Sequence, residues 1–225
     1  MGHTSSKPNP VHLPPSLTTH PLPRRFSATH KTSLTRITAL LSDPDNPSGP
    51  SYAVSWPAGW YGNMILHGGP TKDDEPLATA KFGGKLGCDF YITLPSLPES
   101  AQQQERTEIL RYEGRLRSEK WWFAMQIGSS VERFEWRRSH GDAVKEVEGG
   151  SGWGWKLVRV VGEGEEVVAV WADAGLSLSR MGAFEYRGSG ATGELGLLWG
   201  VMAVVTCMCV WQMRQQRNTT AAIVS

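Results

Sequence analysis

The sequence predicts a mainly β domain that ends in one strongly apolar helix, on three observations. Short runs of β-forming residues repeat from Ser51 onward, each bounded by Gly, Pro, Asp or Asn. Several of these runs alternate apolar and polar side chains with period two. The stretch Leu195–Met213 then carries no charge, and 15 of its 19 residues are apolar.

The chain opens on a segment of a different kind. Nine of its 14 prolines fall in the first 50 residues, among Ser, Thr and His. Such a composition buries too little apolar surface to offset chain entropy, so residues 1–33 read as a disordered arm. Residues 1–42 contain no Asp or Glu but hold Lys7, Arg24, Arg25, Lys31 and Arg36, a charge of +5. The rest carries all 22 acids and the other 18 of 23 bases, a charge of −4. The total of +1 lacks the basic excess of a dedicated nucleic-acid binder, so no nucleic-acid partner is expected.

Three further readings compete for the arm. Gly2-His3-Thr4-Ser5-Ser6 fits the N-myristoylation pattern, which makes Gly2 a lipidation candidate beside an unmodified tail. The acid-free stretch from Arg24 to Leu41 faintly resembles a transit peptide, but the prolines before it spoil an amphipathic helix. His3, His12, His20 and His30 are spaced too widely to form a metal site. Prolines 8, 10, 14 and 15 stand where a secretory signal would be apolar, so none is predicted. Three cysteines make no disulfide framework, and a reducing, cytoplasmic setting is the default.

The body divides into two series of strands. The first comprises Tyr52–Trp56, Trp60–His67, Leu77–Phe82, Cys88–Leu94 and Ile109–Tyr112. A Pro- and Gln-rich connection from Pro95 to Glu105 leads to the second: Trp121–Ile127, Val131–Arg137, Trp155–Val161, Glu166–Ala172 and Ala183–Tyr186. In the run beginning at Val131, Phe134 and Trp136 face one side while Arg133, Glu135 and Arg137 face the other. Roughly ten closely spaced strands point to a barrel or sandwich. Most of the ten tryptophans fall on or beside these strands, where large aromatics pack well. The glycines at 149–154 read as a hairpin loop.

The terminal helix has two physical solutions. Thr192 is a candidate N-cap, while Glu194 and the pair Arg214 and Arg217 complement the helix dipole. A helix apolar on all sides must be buried on all sides. At 1.5 Å per residue it spans about 29 Å, enough to cross a bilayer as an anchor. Alternatively it fills a barrel too wide for wall side chains alone to close. The small residues Gly196, Gly200, Ala203 and Cys207 form one stripe that would let a wall approach closely.

Six stretches bear on this choice: Tyr61-Gly-Asn-Met-Ile-Leu-His67, Pro76-Leu-Ala-Thr79, Phe134-Glu-Trp-Arg-Arg-Ser139, Gly154-Trp-Lys-Leu-Val-Arg159, Glu166-Val-Val-Ala-Val-Trp171 and Gly188-Ser-Gly-Ala-Thr-Gly-Glu-Leu195. With the order strand series, connection, strand series, apolar helix, residues 50–214 resemble the tubby C-terminal-like and LURP-one-related superfamily, and within it a group of filamentous-fungal proteins. The resemblance implies a closed antiparallel β-barrel of about twelve strands around a buried hydrophobic C-terminal helix. The domain would span residues 34–217, with its helix at about 194–214 and a flexible tail over 218–225. Ten strands are read directly; Leu34–Leu41 and a split of Ile109–Leu116 are the candidates for the other two.

Catalytic motifs are missing: no H-E-x-x-H, G-x-S-x-G, P-loop or C-x-x-C occurs. Cys207, Cys209 and Cys88 read as core, and His67 and His140 lack the neighbours a ligand set needs. The expectation is therefore a non-catalytic protein with no cofactor and no metal. Two basic clusters remain, Arg111, Arg115, Arg117 and Lys120, then Arg137 and Arg138. The resemblance implies contact with anionic phospholipid or phosphoinositide head groups, for which these six residues are candidates, and hence membrane association. Glu113, Glu119, Glu132 and Glu135 supply the competing reading of cross-strand pairing. A membrane protein anchored by residues 195–213 and a small-molecule carrier with a barrel cavity are the alternative functions.

Overall fold

A computed structural model of the chain describes residues 22–33, 36–83, 88–95, 106–115, 118–175, 177 and 179–224. Its strands are β1 (Arg25–Ser33), β2 (Arg36–Ser42), β3 (Ser51–Trp56), β4 (Met64–His67), β5 (Pro76–Phe82) and β6 (Phe90–Leu94). They continue with β7 (Arg106–Arg115), β8 (Ser118–Ile127), β9 (Ser130–Ser139), β10 (Gly150–Val161), β11 (Gly164–Ala174) and β12 (Arg180–Tyr186). Each strand pairs antiparallel with its neighbours in sequence, and β1 closes on β12 to complete a barrel. Short helices α1 (Asp142–Lys145) and α2 (Gly188–Thr192) precede the long helix α3 (Leu197–Val224).

Helix α3 is the filling of that barrel. Trp199, Met202, Val205, Met208 and Cys209 are almost completely buried, as are the inward wall residues Phe123, Phe134, Trp136, Trp171 and Phe184. By length and apolarity Leu197–Thr220 would suffice to cross a membrane, but most of it is buried inside the protein. The need to hide its whole circumference is met by the wall instead of by lipid.

Each of the four non-apolar residues in the stretch has a structural task. Gly196 turns into the helix with φ +82°, a conformation that side chains disfavour. The Gly200 carbonyl accepts a hydrogen bond from the Tyr186 hydroxyl at 2.8 Å. Thr206 Oγ1 accepts from the Trp136 indole at 2.9 Å and donates back to the Met202 carbonyl at 2.8 Å. Gln212 Oε1 accepts from the Trp56 indole at 3.0 Å, while its Nε2 donates to the Trp60 and Gly62 carbonyls at 2.7 and 2.9 Å. The helix is thus riveted to the wall along its length, because buried polar groups need partners.

The structure departs from the sequence-based expectations at several places. The arm expected over residues 1–33 gives way to β1 at Arg25, where Phe26 and Ala28 point into the core. Pairing with β12 and β2 orders a segment whose Pro-rich flank suggested disorder. β1 and β2 are accordingly the two missing strands, whereas β7 runs unbroken from Arg106 to Arg115 with no split. The run expected from Trp60 begins as a 3₁₀ turn, Gly59–Tyr61, and becomes strand only at Met64. Gly150–Gly154 belong to β10, not to a loop; the register shifts between Gly150 and Gly154, and a side chain at Gly154 would collide with the Trp171 carbonyl. Finally, α3 starts at Leu197 and continues to Val224 in place of a tail from 218. Thr192 closes α2 and caps nothing in α3, and Arg214 and Arg217 bind Asp173 and Glu119 without ending the helix.

Candidate functional site

The basic candidates come from three consecutive strands, β7, β8 and β9, towards the end of the barrel where the C-terminal half of α3 emerges. Arg111 lies on β7, Lys120 on β8, and Arg137 and Arg138 on β9; Lys120 faces both Glu113 and Arg137 across the sheet. Arg217 of α3 joins them through Glu119 and lies 5.3 Å above the Tyr112 ring. Arg117, the Arg115 side chain and Gly2 lie outside the described residues.

Glu135 organises the outer surface of these strands. It is 5% exposed and accepts hydrogen bonds from Arg133 at 2.7 Å, Arg137 at 2.8 Å and Lys120 at 3.3 Å. Arg137 also grips Glu165 through two bonds of 2.8 and 2.9 Å. Burial pushes the Glu135 carboxyl up, but the three cations outweigh it and hold it below the ordinary range. The expectation of cross-strand pairing therefore describes Lys120 and Arg137 well. Arg111 and Arg138 differ: both are exposed. Arg111 reaches Asp89 only at 3.9 Å and lies over Trp122. Arg138 lies over Trp155 at 5.6 Å and forms no ion pair among the described residues.

This network makes stability acid-sensitive. Glu165 is held down by Arg137, and Glu132 by Arg159. A carboxyl with a lowered folded pKa stabilises the fold above its unfolded pKa and loses that contribution as pH falls through the folded value. The melting temperature should stay level down to about pH 5 and drop below about pH 4. Glu135→Gln should melt lower at neutral pH and show a shallower acid limb. Thermal melts across pH measure both, and identical acid limbs would refute the role given to Glu135.

A second constellation went unread in the sequence. His67 was expected to lack partners, yet Ser55 Oγ stands 2.8 Å from its Nε2, and the Asp74 carbonyl 2.9 Å from its Nδ1. Both side chains are buried. Ser55 pairs with Ile65 on β4, so Ser55 and His67 are diagonal neighbours on the outer face of the β3–β4 hairpin. The only signal in the sequence was their shared parity across a hairpin register that residue composition does not reveal. The segment 68–75 covers the pair. It is fixed by Gly69 O accepting from Ala53 N at 2.7 Å and by Asp74 accepting from the Thr71 amide and hydroxyl, both at 2.7 Å.

At the opposite end of the barrel, Leu22, Arg24, Tyr186, Ala191, Leu197 and Trp199 border a cleft of about 330 Å³. The buried Trp199 Nε1 has no hydrogen-bond partner among the described residues. Cys207 and Cys209 are buried thiols pushed up by desolvation, which suits core packing and not reactivity. No cluster of three His, Cys, Asp or Glu side chains suited to a metal occurs among the described residues. His30 instead packs against Trp60 and Trp211, and burial lowers its pKa.

Compared with known proteins, the chain matches no family model, no curated protein and no solved structure.

Proposed function

We propose that this chain is a tubby- and LURP-one-like barrel acting as a binding or scaffold protein at a membrane surface, through anionic phospholipid or phosphoinositide head groups. The observation that carries the reading is the convergence of Arg111, Lys120, Arg137 and Arg138 on consecutive strands at one end of the barrel. Within that group the roles separate. Lys120 and Arg137 hold Glu135, whereas the exposed Arg111 and Arg138 keep donors free for phosphate oxygens. Arg115, opposite Ser118, ends β7 on the hairpin side of the same sheet. Exposed Trp153, packed 5.1 Å from the His140 ring, and exposed Tyr61 are aromatic residues of the kind that settle at membrane interfaces.

Vesicle co-sedimentation tests it. The full chain should pellet with vesicles containing phosphatidylserine or a phosphoinositide, and not with phosphatidylcholine alone. Each basic residue near an anionic surface contributes about 1 kcal/mol. Reversing Arg115, Arg117 and Arg138 to Glu together should therefore weaken binding by roughly 100-fold or more, at an unchanged melting temperature. Equal binding to neutral vesicles, or full binding by the triple variant, refutes the proposal. The carrier alternative rests on the cleft of about 330 Å³ that Trp199 borders.

A further inference from the structure

We propose that Ser55 is a nucleophile activated by His67, and that the groove they line accepts a small carboxylic ester. This rests on the outer face of β3 and β4, independently of the head-group reading, and adds an activity that the missing sequence motifs did not announce.

The hydrogen bonds fix the chemistry of the pair. A backbone carbonyl can only accept, so the contact between His67 Nδ1 and the Asp74 carbonyl places the imidazole proton on Nδ1. Nε2 then presents its lone pair, and the Ser55 hydroxyl must be the donor across the 2.8 Å contact. Nucleophile, base and orienting acceptor thus stand in series, the arrangement that activates a serine. Asp74 is itself locked by its two bonds from Thr71, so the carbonyl that orients the ring does not drift.

The buried pair stands at the wall of a groove. Ser55 and His67 border a groove of about 310 Å³, with Ile37 and Ile65 as apolar walls and Lys72 and Asp73 also lining it. The volume suits a short acyl group, and Lys72, paired with Asp73 on the same rim, is the cation that borders the groove and could face a developing oxyanion. In the reaction, Ser55 Oγ bonds to the carbonyl carbon while its proton passes to His67 Nε2. The oxyanion collapses, the alkoxide leaves with that proton, and an acyl-serine remains. Water then repeats the sequence: its proton goes to Nε2, its oxygen bonds to the acyl carbon, and Ser55 departs reprotonated. The net change is ester plus water to acid plus alcohol.

The test is labelling of the purified full chain with a fluorophosphonate probe, followed by peptide mass spectrometry. Serine Oγ bonds to phosphorus, and fluoride leaves. Label should appear on Ser55, vanish in Ser55→Ala, and form at least about 100-fold more slowly in His67→Gln. Hydrolysis of p-nitrophenyl acetate should fall in parallel. Because His67 also ties down the segment 68–75, a folding defect in His67→Gln is separated by Lys72→Ala. That change leaves the Ser55–His67 bond intact, so it should slow ester hydrolysis about tenfold or more without altering the melting temperature. Absence of label on Ser55, a label indifferent to His67→Gln in a folded variant, or hydrolysis unchanged by Ser55→Ala each overturns the proposal. The pair would then be a tether between the wall and its covering loop.

Discussion

Truncation after Gly193 yields a chain that is insoluble and shows no cooperative unfolding transition. The missing helix supplies Trp199, Met202, Val205, Met208, Val210 and Trp211 to the centre of the barrel. Burying one such side chain is worth about 1.5–3 kcal/mol. Lost together, these contributions meet or exceed the ~5–15 kcal/mol by which an ordinary domain is stable. A barrel of twelve strands cannot close over the gap, since its radius is set by strand number and shear and not by its contents. The inner faces of Phe134, Trp136, Phe184 and Tyr186, which now pack against α3 or each other, would line an open apolar hole. The Trp136 indole would also lose its acceptor on Thr206. Expression of residues 1–193 with a soluble-fraction assay and a thermal melt decides it. A soluble fragment with a sharp transition would mean that the wall stands alone and that α3 is an accessory.

What could be read in advance follows from the range of the forces involved. Period-two alternation is a local signal, so strands such as β9 and β11 were placed within a residue or two. The apolarity of Leu195–Met213 is local too, but what hides it is not. A stripe of small residues is equally compatible with a lipid-side partner helix and a barrel wall. Only the family resemblance favoured the wall. β1 was missed because its order depends on β12, a strand more than 150 residues away that supplies its other edge. The start of β10 was misread because Gly154 looks like a hinge in sequence, whereas its lack of a side chain serves contact with Trp171.

The candidate sites divide in the same way. Cross-strand ion pairs such as Lys120 with Glu113 follow from neighbouring hairpin residues and could be anticipated. The convergence of three cations on Glu135 needed the register of β8 against β9, and the Ser55–His67 pair needed that of β3 against β4. In each case the residue types were visible, and their spacing through folded space was not.

Gln212→Leu should destabilise the protein by about 3 kcal/mol, although it makes the helix more apolar and barely changes side-chain volume. Hydropathy alone forecasts the opposite, since Gln212 is fully buried in the core. Its amide, however, closes one end of the barrel by bridging β3 to the 3₁₀ turn: Oε1 takes the Trp56 indole proton, and Nε2 serves the Trp60 and Gly62 carbonyls. Leucine leaves the Trp56 N–H and the Gly62 carbonyl without these partners, at about 1–3 kcal/mol for each buried orphan. The Trp60 carbonyl is spared, because Gln216 Nε2 also donates to it. For a domain of this size the loss corresponds to a fall in melting temperature of roughly 6–12 °C. Gln216→Leu is the internal control: it removes a bond that Gln212 duplicates, so its effect should be clearly smaller. The turn carries Trp60, whose ring packs 5.1 Å from Trp56 and 5.3 Å from Trp211. Loosening it should therefore also shift tryptophan fluorescence to the red as water reaches that cluster. A Gln212→Leu protein as stable as the parent, with unchanged emission, would show that hydrophobic filling alone seats the helix and that its polar rivets are dispensable.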